Sequence, residues 1–361
     1  MGRARKAGPD LDEWQRFPQV DKSDLLGRIE GFADDLEAAW KAARAGAPSF
    51  RKGGRYVSSV IVAGMGGSAI SGEIAADAFR SVLPVPMGVV QDYALPSFAR
   101  RETLVVVSSY SGTTEETLSL FEDAKRRGCR IVGITSGGEL KARLKEEGLP
   151  CFDLPGGISP RAAMPFLLAP LVEVLERTEL ANGAPLMEEA VVVVRATAAS
   201  CGRKRPTRVN RAKKVAVALE GGTPVVFGEG ILRSAALRWR TQLNENAKVQ
   251  ARDDVFPASN HNDINAWGSD ARSSAFRVVI LRDPKGHPRN ARRVELTKRL
   301  AFKGAAGSVT EVTAEGEGTL ARALSAVVVG DLASVYLAIR RGVDPTPVDV
   351  IARLKKELAK P

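Results

Sequence analysis

The chain has 361 residues, 44% of them hydrophobic, which is enough for a large core and favours two domains over one. Lysine and arginine number 53 against 42 aspartates and glutamates, a net charge of +11. Such an excess first suggests nucleic acid, but no helix-turn-helix, no zinc-finger spacing and no aromatic residues among the basic ones accompany it. No apolar run approaches the roughly 20 residues that span a bilayer, and the basic N-terminus lacks the apolar stretch of a signal peptide. Cys129, Cys151 and Cys201 are scattered and, with His261 and His287 as the only histidines, match no metal-ligand spacing. The chain is therefore expected to be cytoplasmic with reduced thiols, without a metal, and without nucleic-acid or membrane partners.

Apolar residues recur at helical spacing from Asp24 to Ala45, which predicts one lead-in helix closed by Gly46 and Pro48. Strands are then expected at Val57–Val62, Val85–Val90, Leu104–Val107, Ile131–Ile134 and Cys151–Leu154. Helices are expected at Ser68–Phe79, Glu115–Arg127, Leu140–Glu147 and Pro165–Arg177. This alternation indicates an α/β fold with a parallel sheet covered on both faces. A helical stretch at Glu188–Ser200 leads into Arg203-Lys204-Arg205, Arg208, Arg211, Lys213 and Lys214, which reads as a solvated basic connection. The rhythm restarts with strands at Thr223–Phe227, Ala275–Leu281 and Ser308–Val312. Its helices are Leu232–Gln242, Asn290–Leu300, Leu320–Ile339 and a tail helix within Pro345–Leu358. Val62-Ala63-Gly64-Met65-Gly66-Gly67-Ser68 is echoed by Val226-Phe227-Gly228-Glu229-Gly230-Ile231-Leu232, so one α/β unit is repeated. The expected division is 1–55 as lead-in, 56–190 as a first, phosphate-binding domain, 191–214 as connection and 215–361 as a second domain.

The third strand ends in Ser108-Ser109-Tyr110-Ser111-Gly112-Thr113-Thr114, and a helix follows at once. Unpaired amides and the helix dipole at such a junction favour an anion. No lysine stands in the turn, so it is not a nucleotide loop of the Gly-Lys-Ser/Thr kind. A capping box between Thr113 and Glu116 would account for part of it, but not for the remaining hydroxyls. Gly64-Met65-Gly66-Gly67-Ser68-Ala69 nearly matches a dinucleotide fingerprint, with Asp92 in the place of the ribose acid. A hydroxyl turn on the third strand has no part in dinucleotide binding and points to a monophosphate held between two strand ends.

Gly66-Gly67-Ser68 with Ser109-Tyr110-Ser111-Gly112-Thr113-Thr114-Glu115-Glu116-Thr117 resembles the phosphosugar pattern of sugar isomerase (SIS) domains. Ile158-Ser159-Pro160-Arg161-Ala162-Ala163, Gln242-Leu243-Asn244-Glu245-Asn246-Ala247-Lys248 and Pro257-Ala258-Ser259-Asn260-His261-Asn262-Asp263-Ile264 narrow the likeness. They are similar to the bifunctional phosphoglucose/phosphomannose isomerase family. The resemblance implies two SIS-type α/β/α sandwich domains with parallel, flavodoxin-like sheets. It also implies cofactor-free interconversion of glucose or mannose 6-phosphate with fructose 6-phosphate through a cis-enediol. Such chemistry needs a carboxylate at C2, a titrating group for ring opening and a cation for the enediolate.

The resemblance assigns these roles to Glu245, His261 and Arg161 respectively, with His261 reaching across a homodimer. It assigns phosphate and sugar contacts to Gly67, Ser68, Ser109, Ser111 and Thr114, and a sugar contact to Lys355, with Lys356 beside it. Asn244 and Asn246 flank Glu245 in positions to orient its carboxylate. The competing reading is a non-catalytic phosphosugar sensor with the same phosphate cradle.

Overall fold

The computed structural model describes residues 8–49, 57–159 and 161–358. The basic N-terminal residues read above for targeting, and Pro160 of the arginine segment, lie outside them. The lead-in is two helices, α1 (Leu25–Glu30) and α2 (Phe32–Ala45), where the sequence predicts one. Gly31 between them sits at φ −81°, ψ 6°, and glycine's poor helix propensity explains the break.

The first sheet contains β1 (Ser59–Ala63), β2 (Met87–Val90), β3 (Thr103–Ser108), β4 (Arg130–Thr135) and β5 (Cys151–Asp153), ordered β2-β1-β3-β4-β5 and parallel throughout. Its helices are α3 (Gly66–Phe79), α4 (Glu115–Arg126), α5 (Gly138–Glu146) and α6 (Met164–Arg177). Helices α7 (Ala184–Cys201) and α8 (Arg211–Leu219) make the crossing. The second sheet contains β6 (Thr223–Glu229), β7 (Arg252–Phe256), β8 (Phe276–Arg282) and β9 (Ser308–Thr313), ordered β7-β6-β8-β9 and again parallel. Helices α9 (Arg233–Glu245), α10 (Pro288–Thr297), α11 (Thr319–Arg340) and α12 (Asp349–Leu358) accompany it.

Successive strand residues face opposite sides of a sheet. Val60, Val62, Leu104 and Val106 therefore enter one core together with Val226, Val279 and Leu281 of the other sheet. Ile61, Ala63, Val105 and Val107 pack separately on Leu120 and Phe121 of α4 and Leu140 and Leu144 of α5. On the outer face of the second sheet, Phe227, Phe256 and Phe302 cluster with Trp267. The inner faces of both sheets thus share a single core.

Helix α11 lies in that core, buried continuously from Leu320 to Ile339. Its mean hydropathy of 1.6 and its 22 residues make it long and apolar enough to cross a membrane. That corrects the expectation that no such run exists: Arg322 and Asp331 interrupt the stretch, yet its most apolar window is 100% buried inside the protein.

The basic connection is also different from its expected form. Helix α7 runs unbroken through the expected helical stretch Glu188–Ser200 and stops at Gly202. Helix α8 begins inside the basic run, and Lys213 on it is fully buried. Its Nζ donates to the carbonyls of Leu11 (2.5 Å) and Arg203 (2.9 Å) and lies over the rings of Phe17 and Tyr336. Arg203 pairs with Glu30 and Asp24, and Arg211 with Glu315. Lys213 and Arg203 thus tie the lead-in to the connection, and Arg211 ties α8 to the segment after β9.

Candidate active site

In a sheet of this order, ligands bind at the carboxyl ends of the two strands where the order reverses, here β1 and β3. Both expected turns lie there. A Cβ on Gly64 would stand 2.6 Å from the carbonyl oxygen of Ser108, so only glycine lets the β1 turn close against the end of β3. Gly66 follows at φ +53° and starts α3, whose N-cap residue Met65 supplies no side-chain hydrogen bond. Gly67 is half-buried, and Ser68, in the first turn, is buried.

In the β3 turn the Ser109 hydroxyl accepts from the Gly112 N–H (3.1 Å) and donates to Thr114 Oγ1 (3.1 Å). The exposed Ser111 hydroxyl accepts from Thr113. Thr114 is the N-cap of α4 and its side chain makes no cap bond, so the capping box between Thr113 and Glu116 is not formed. Two helix N-termini without side-chain caps, with Ser68, Ser109, Ser111 and Thr114 around them, form a cradle for a small anion.

Of the three catalytic candidates, Glu245 and Arg161 lie together. Helix α3 is tied to α9 where Asp77 accepts from the Ser234 N–H (2.9 Å) and pairs with Arg233. At roughly 1.5 Å per residue, Ser68 stands about 14 Å back along α3 from this tie, and Glu245 about 16 Å onward along α9. Glu245 is the last residue of α9, half-exposed, with its Oε2 3.5 Å from Nε of Arg161. Arg161 precedes α6 and its guanidinium is nearly buried. It donates to Asn246 Oδ1 (2.7 Å), to the Pro345 carbonyl (2.6 Å) and to the Thr346 carbonyl. Burial lowers the pKa of Arg161, opposed by the Glu245 carboxylate, and an arginine stays charged through such a shift.

The flanking asparagines do not orient Glu245. Asn246 is buried and spans Arg161 and Ser334 Oγ (2.9 Å), so it holds the arginine. Asn244 instead accepts from the Ala251 N–H (2.9 Å) and fixes the turn into β7. Local order in the chain pointed to the wrong partner, because a helix turns its neighbours to different faces.

His261 and Lys355 stand apart from this pair. His261 ends an exposed turn after β7, anchored by Asn260 Nδ2 donating to Thr297 Oγ1 (2.8 Å). Lys355 and Lys356 lie on α12, which has no buried residue. Among the described residues neither His261 nor Lys355 makes a hydrogen bond or ion pair to Glu245 or Arg161.

Four residues given no role in the sequence reading complete the framework. Tyr110, inside the hydroxyl turn, donates to the Pro155 carbonyl (2.8 Å) and accepts from the Ile158 N–H (2.8 Å), coupling the cradle to the segment before Arg161. Arg238 and Asp331 form a buried ion pair (2.6 Å), and Arg238 also donates to the Arg161 carbonyl (3.1 Å). Lys248 holds the backbone around Glu245 and Pro345–Pro347. Of these, Tyr110 and Lys248 stand inside quoted motifs and were open to notice; the Arg238–Asp331 pair joins distant segments and carries no local signal.

Residues 56–143 match the SIS domain, and residues 208–358 match the bacterial phospho-glucose isomerase C-terminal SIS domain. The chain is 37% identical over 306 residues to a bifunctional phosphoglucose/phosphomannose isomerase of Caldicellulosiruptor bescii, covering 84% of this chain and 90% of that protein. It is 36% identical to the Aquifex aeolicus protein of the same name, covering 83% and 90%. A glucose-6-phosphate isomerase like protein from Thermus thermophilus shares the fold with a TM-score of 0.63 at 16% identity, over 96% of this chain and 99% of that one. With matches of this extent, the chain belongs to the bifunctional phosphoglucose/phosphomannose isomerase family.

Proposed function

We propose that this isomerase interconverts glucose 6-phosphate and mannose 6-phosphate with fructose 6-phosphate through a cis-enediol. The Glu245 carboxylate beside the Arg161 guanidinium, with Tyr110 of the hydroxyl turn bonded to the segment that leads to Arg161, supports this reading. With the phosphate anchored by Ser68, Ser109, Ser111 and Thr114, the sugar extends toward Glu245. Glu245 takes the proton from C2 of the open-chain aldose and returns it to C1. Arg161 faces the oxygens on which negative charge develops, and its near-buried position strengthens that interaction. Its fixed contacts to Asn246 and the Pro345 carbonyl mean that it need not reorganise as charge appears. Rotation of the enediol about C2–C3 lets both epimers use one proton-transfer route.

His261 opens the pyranose ring and Lys355 contacts the sugar. The exposure of His261 supports its action on substrate held by a second copy, which makes the working unit a homodimer. The free thiols of Cys129, Cys151 and Cys201 support a cytoplasmic setting.

Glu245→Gln keeps the shape of the site and removes the base. In a coupled assay it lowers kcat by about 10²–10⁴, the range for a general base, while sugar phosphate still binds. Turnover near that of the unaltered chain in this variant overturns the mechanism. Binding without any turnover in the unaltered chain overturns the enzyme reading in favour of a phosphosugar sensor.

A further inference from the structure

Lys248 has φ +54°, a left-handed conformation that a residue with a Cβ seldom adopts. The turn carries its half-buried side chain back under the end of α9. There its ammonium donates to the carbonyls of Glu245, Pro347 (2.6 Å) and Pro345 (3.2 Å). An ammonium has three donors, and all three are engaged. Arg161 reaches the same short segment and holds the carbonyls of Pro345 and Thr346. The consecutive carbonyls of Pro345, Thr346 and Pro347 are thus gripped by two cations, with Glu245 touching both: its carboxylate meets Arg161 and its backbone meets Lys248.

The segment suits such a grip. Pro345 and Pro347 have no N–H to give a helix or sheet ladder, and their carbonyls accept from these two cations. The Thr346 N–H is held by Asp344 Oδ1 (3.0 Å). Directly beyond lies α12, whose residues are all exposed, with Val350, Leu354 and Leu358 each more than half exposed. No buried side chain of its own anchors it in a core.

We propose that Lys248 is a positioning residue of the isomerase site, acting through the Pro345–Pro347 segment to hold α12, and Lys355 on it, in reach of a sugar bound beside Glu245. This rests on the role given to Lys355 above. Burial, with the nearby charge of Arg161, pulls the Lys248 pKa below the ordinary lysine value, as befits a cation drawn into a protein interior to hold carbonyls.

The test compares Lys248→Met and Lys248→Arg with the unaltered full-length chain. Amide hydrogen exchange across residues 345–358 is read first, because it does not depend on turnover. Lys248→Met raises exchange there by about tenfold, the scale of losing charged hydrogen bonds, and leaves α3 and α11 unchanged. Lys248→Arg, which keeps a donor to these carbonyls, restores slow exchange. In the isomerase assay Lys248→Met lowers kcat for both epimers, while inhibition by inorganic phosphate, which occupies the cradle alone, is unchanged. Adding Lys248→Met to Lys355→Met costs little more than Lys355→Met by itself, since both act through one helix. Unchanged tail exchange in Lys248→Met overturns the proposal, as does full additivity of the two substitutions. If the chain lacks isomerase activity altogether, the exchange result still decides whether Lys248 holds the tail, so the two failures are distinguishable.

Discussion

The crevice between β1 and β3 and the crevice between β6 and β8 are built on the same backbone and carry opposite chemistry. Each first strand leads to an extended residue, Met65 two positions past β1 or Glu229 at the end of β6, followed by a left-handed glycine, Gly66 at φ +53° or Gly230 at φ +52°. In the first copy the next two residues are Gly67 and Ser68, and the facing turn is lined with hydroxyls. In the second they are Ile231 and Leu232, and the facing turn opens with Asp283, which pairs with Arg322 (2.9 Å). Glu229 is 3% exposed, and its Oε2 finds no hydrogen-bond partner among the described residues. A carboxylate in that position repels phosphate. Both copies keep the turn while their side chains differ, so the anion site proposed for the first crevice rests on residues such as Ser68 and Ser109 rather than on the fold.

The largest expected effect comes from the two glycines that close these turns. A Cβ at Gly64 meets the Ser108 carbonyl oxygen at 2.6 Å, and one at Gly228 meets the Leu232 carbonyl oxygen at 2.4 Å. Both are backbone contacts, so Gly64→Ala and Gly228→Ala should each cost about 1–3 kcal/mol of stability by chemical denaturation. Only Gly64→Ala should also weaken phosphate inhibition; equal loss in both variants would break the asymmetry between the crevices. Removing hydroxyls in the first crevice comes next. Ser109→Ala with Thr114→Val should raise KM for either sugar phosphate by about tenfold, near the value of one or two hydrogen bonds, and barely move Tm.

The smallest effect is expected at Glu229. Burial pushes its carboxyl above the ordinary glutamate value, although the Asp283 N–H and Arg282 pull it back. For an acid raised in the folded state, the protonated form is favoured by folding. Stability from this group is therefore full at pH below the unfolded value and is lost as pH rises toward the folded one. Glu229→Gln should match the unaltered chain near pH 4 and exceed it in Tm at pH 7. A lower Tm at pH 7 would show that the carboxylate is well satisfied there.

Much of this architecture is written in local pattern. The strand and helix rhythm, the repeat and the two turns at the first crevice all follow from apolar periodicity and glycine placement, and the family motifs singled out Arg161 and Glu245, which lie together in the structure. What escaped notice depends on contacts between distant segments. The charged sequence Arg-Asp-Asp-Val-Phe of β7 is not among the expected strands, and its pairing with β6, with Arg240 neutralising Asp253, makes it an edge strand. Lys213 occupies an apolar position of α8 that no hydropathy count assigns to a lysine; carbonyls and aromatic rings from elsewhere in the chain take the place of water. Asn246 and Lys248 stand beside Glu245 in the motif, but only the fold reveals that they serve the arginine and the tail.

Helix α11 gives the chain an order of assembly. It comes after both sheets in the sequence and packs against elements as early as α1 and α3. During synthesis, the apolar faces of those earlier elements wait for a helix not yet made. The last long helix therefore acts as a keystone, and ribosomal products stopping before Thr319 would display the sticky groove it normally fills. A released fragment containing α11 alone carries the opposite hazard, since a helix of its length and mean hydropathy is recognisable to membrane-insertion machinery. The same helix carries Asp331 and Ser334, which stand behind Arg161 through Arg238 and Asn246, so completing the core and setting the arginine fall to one segment.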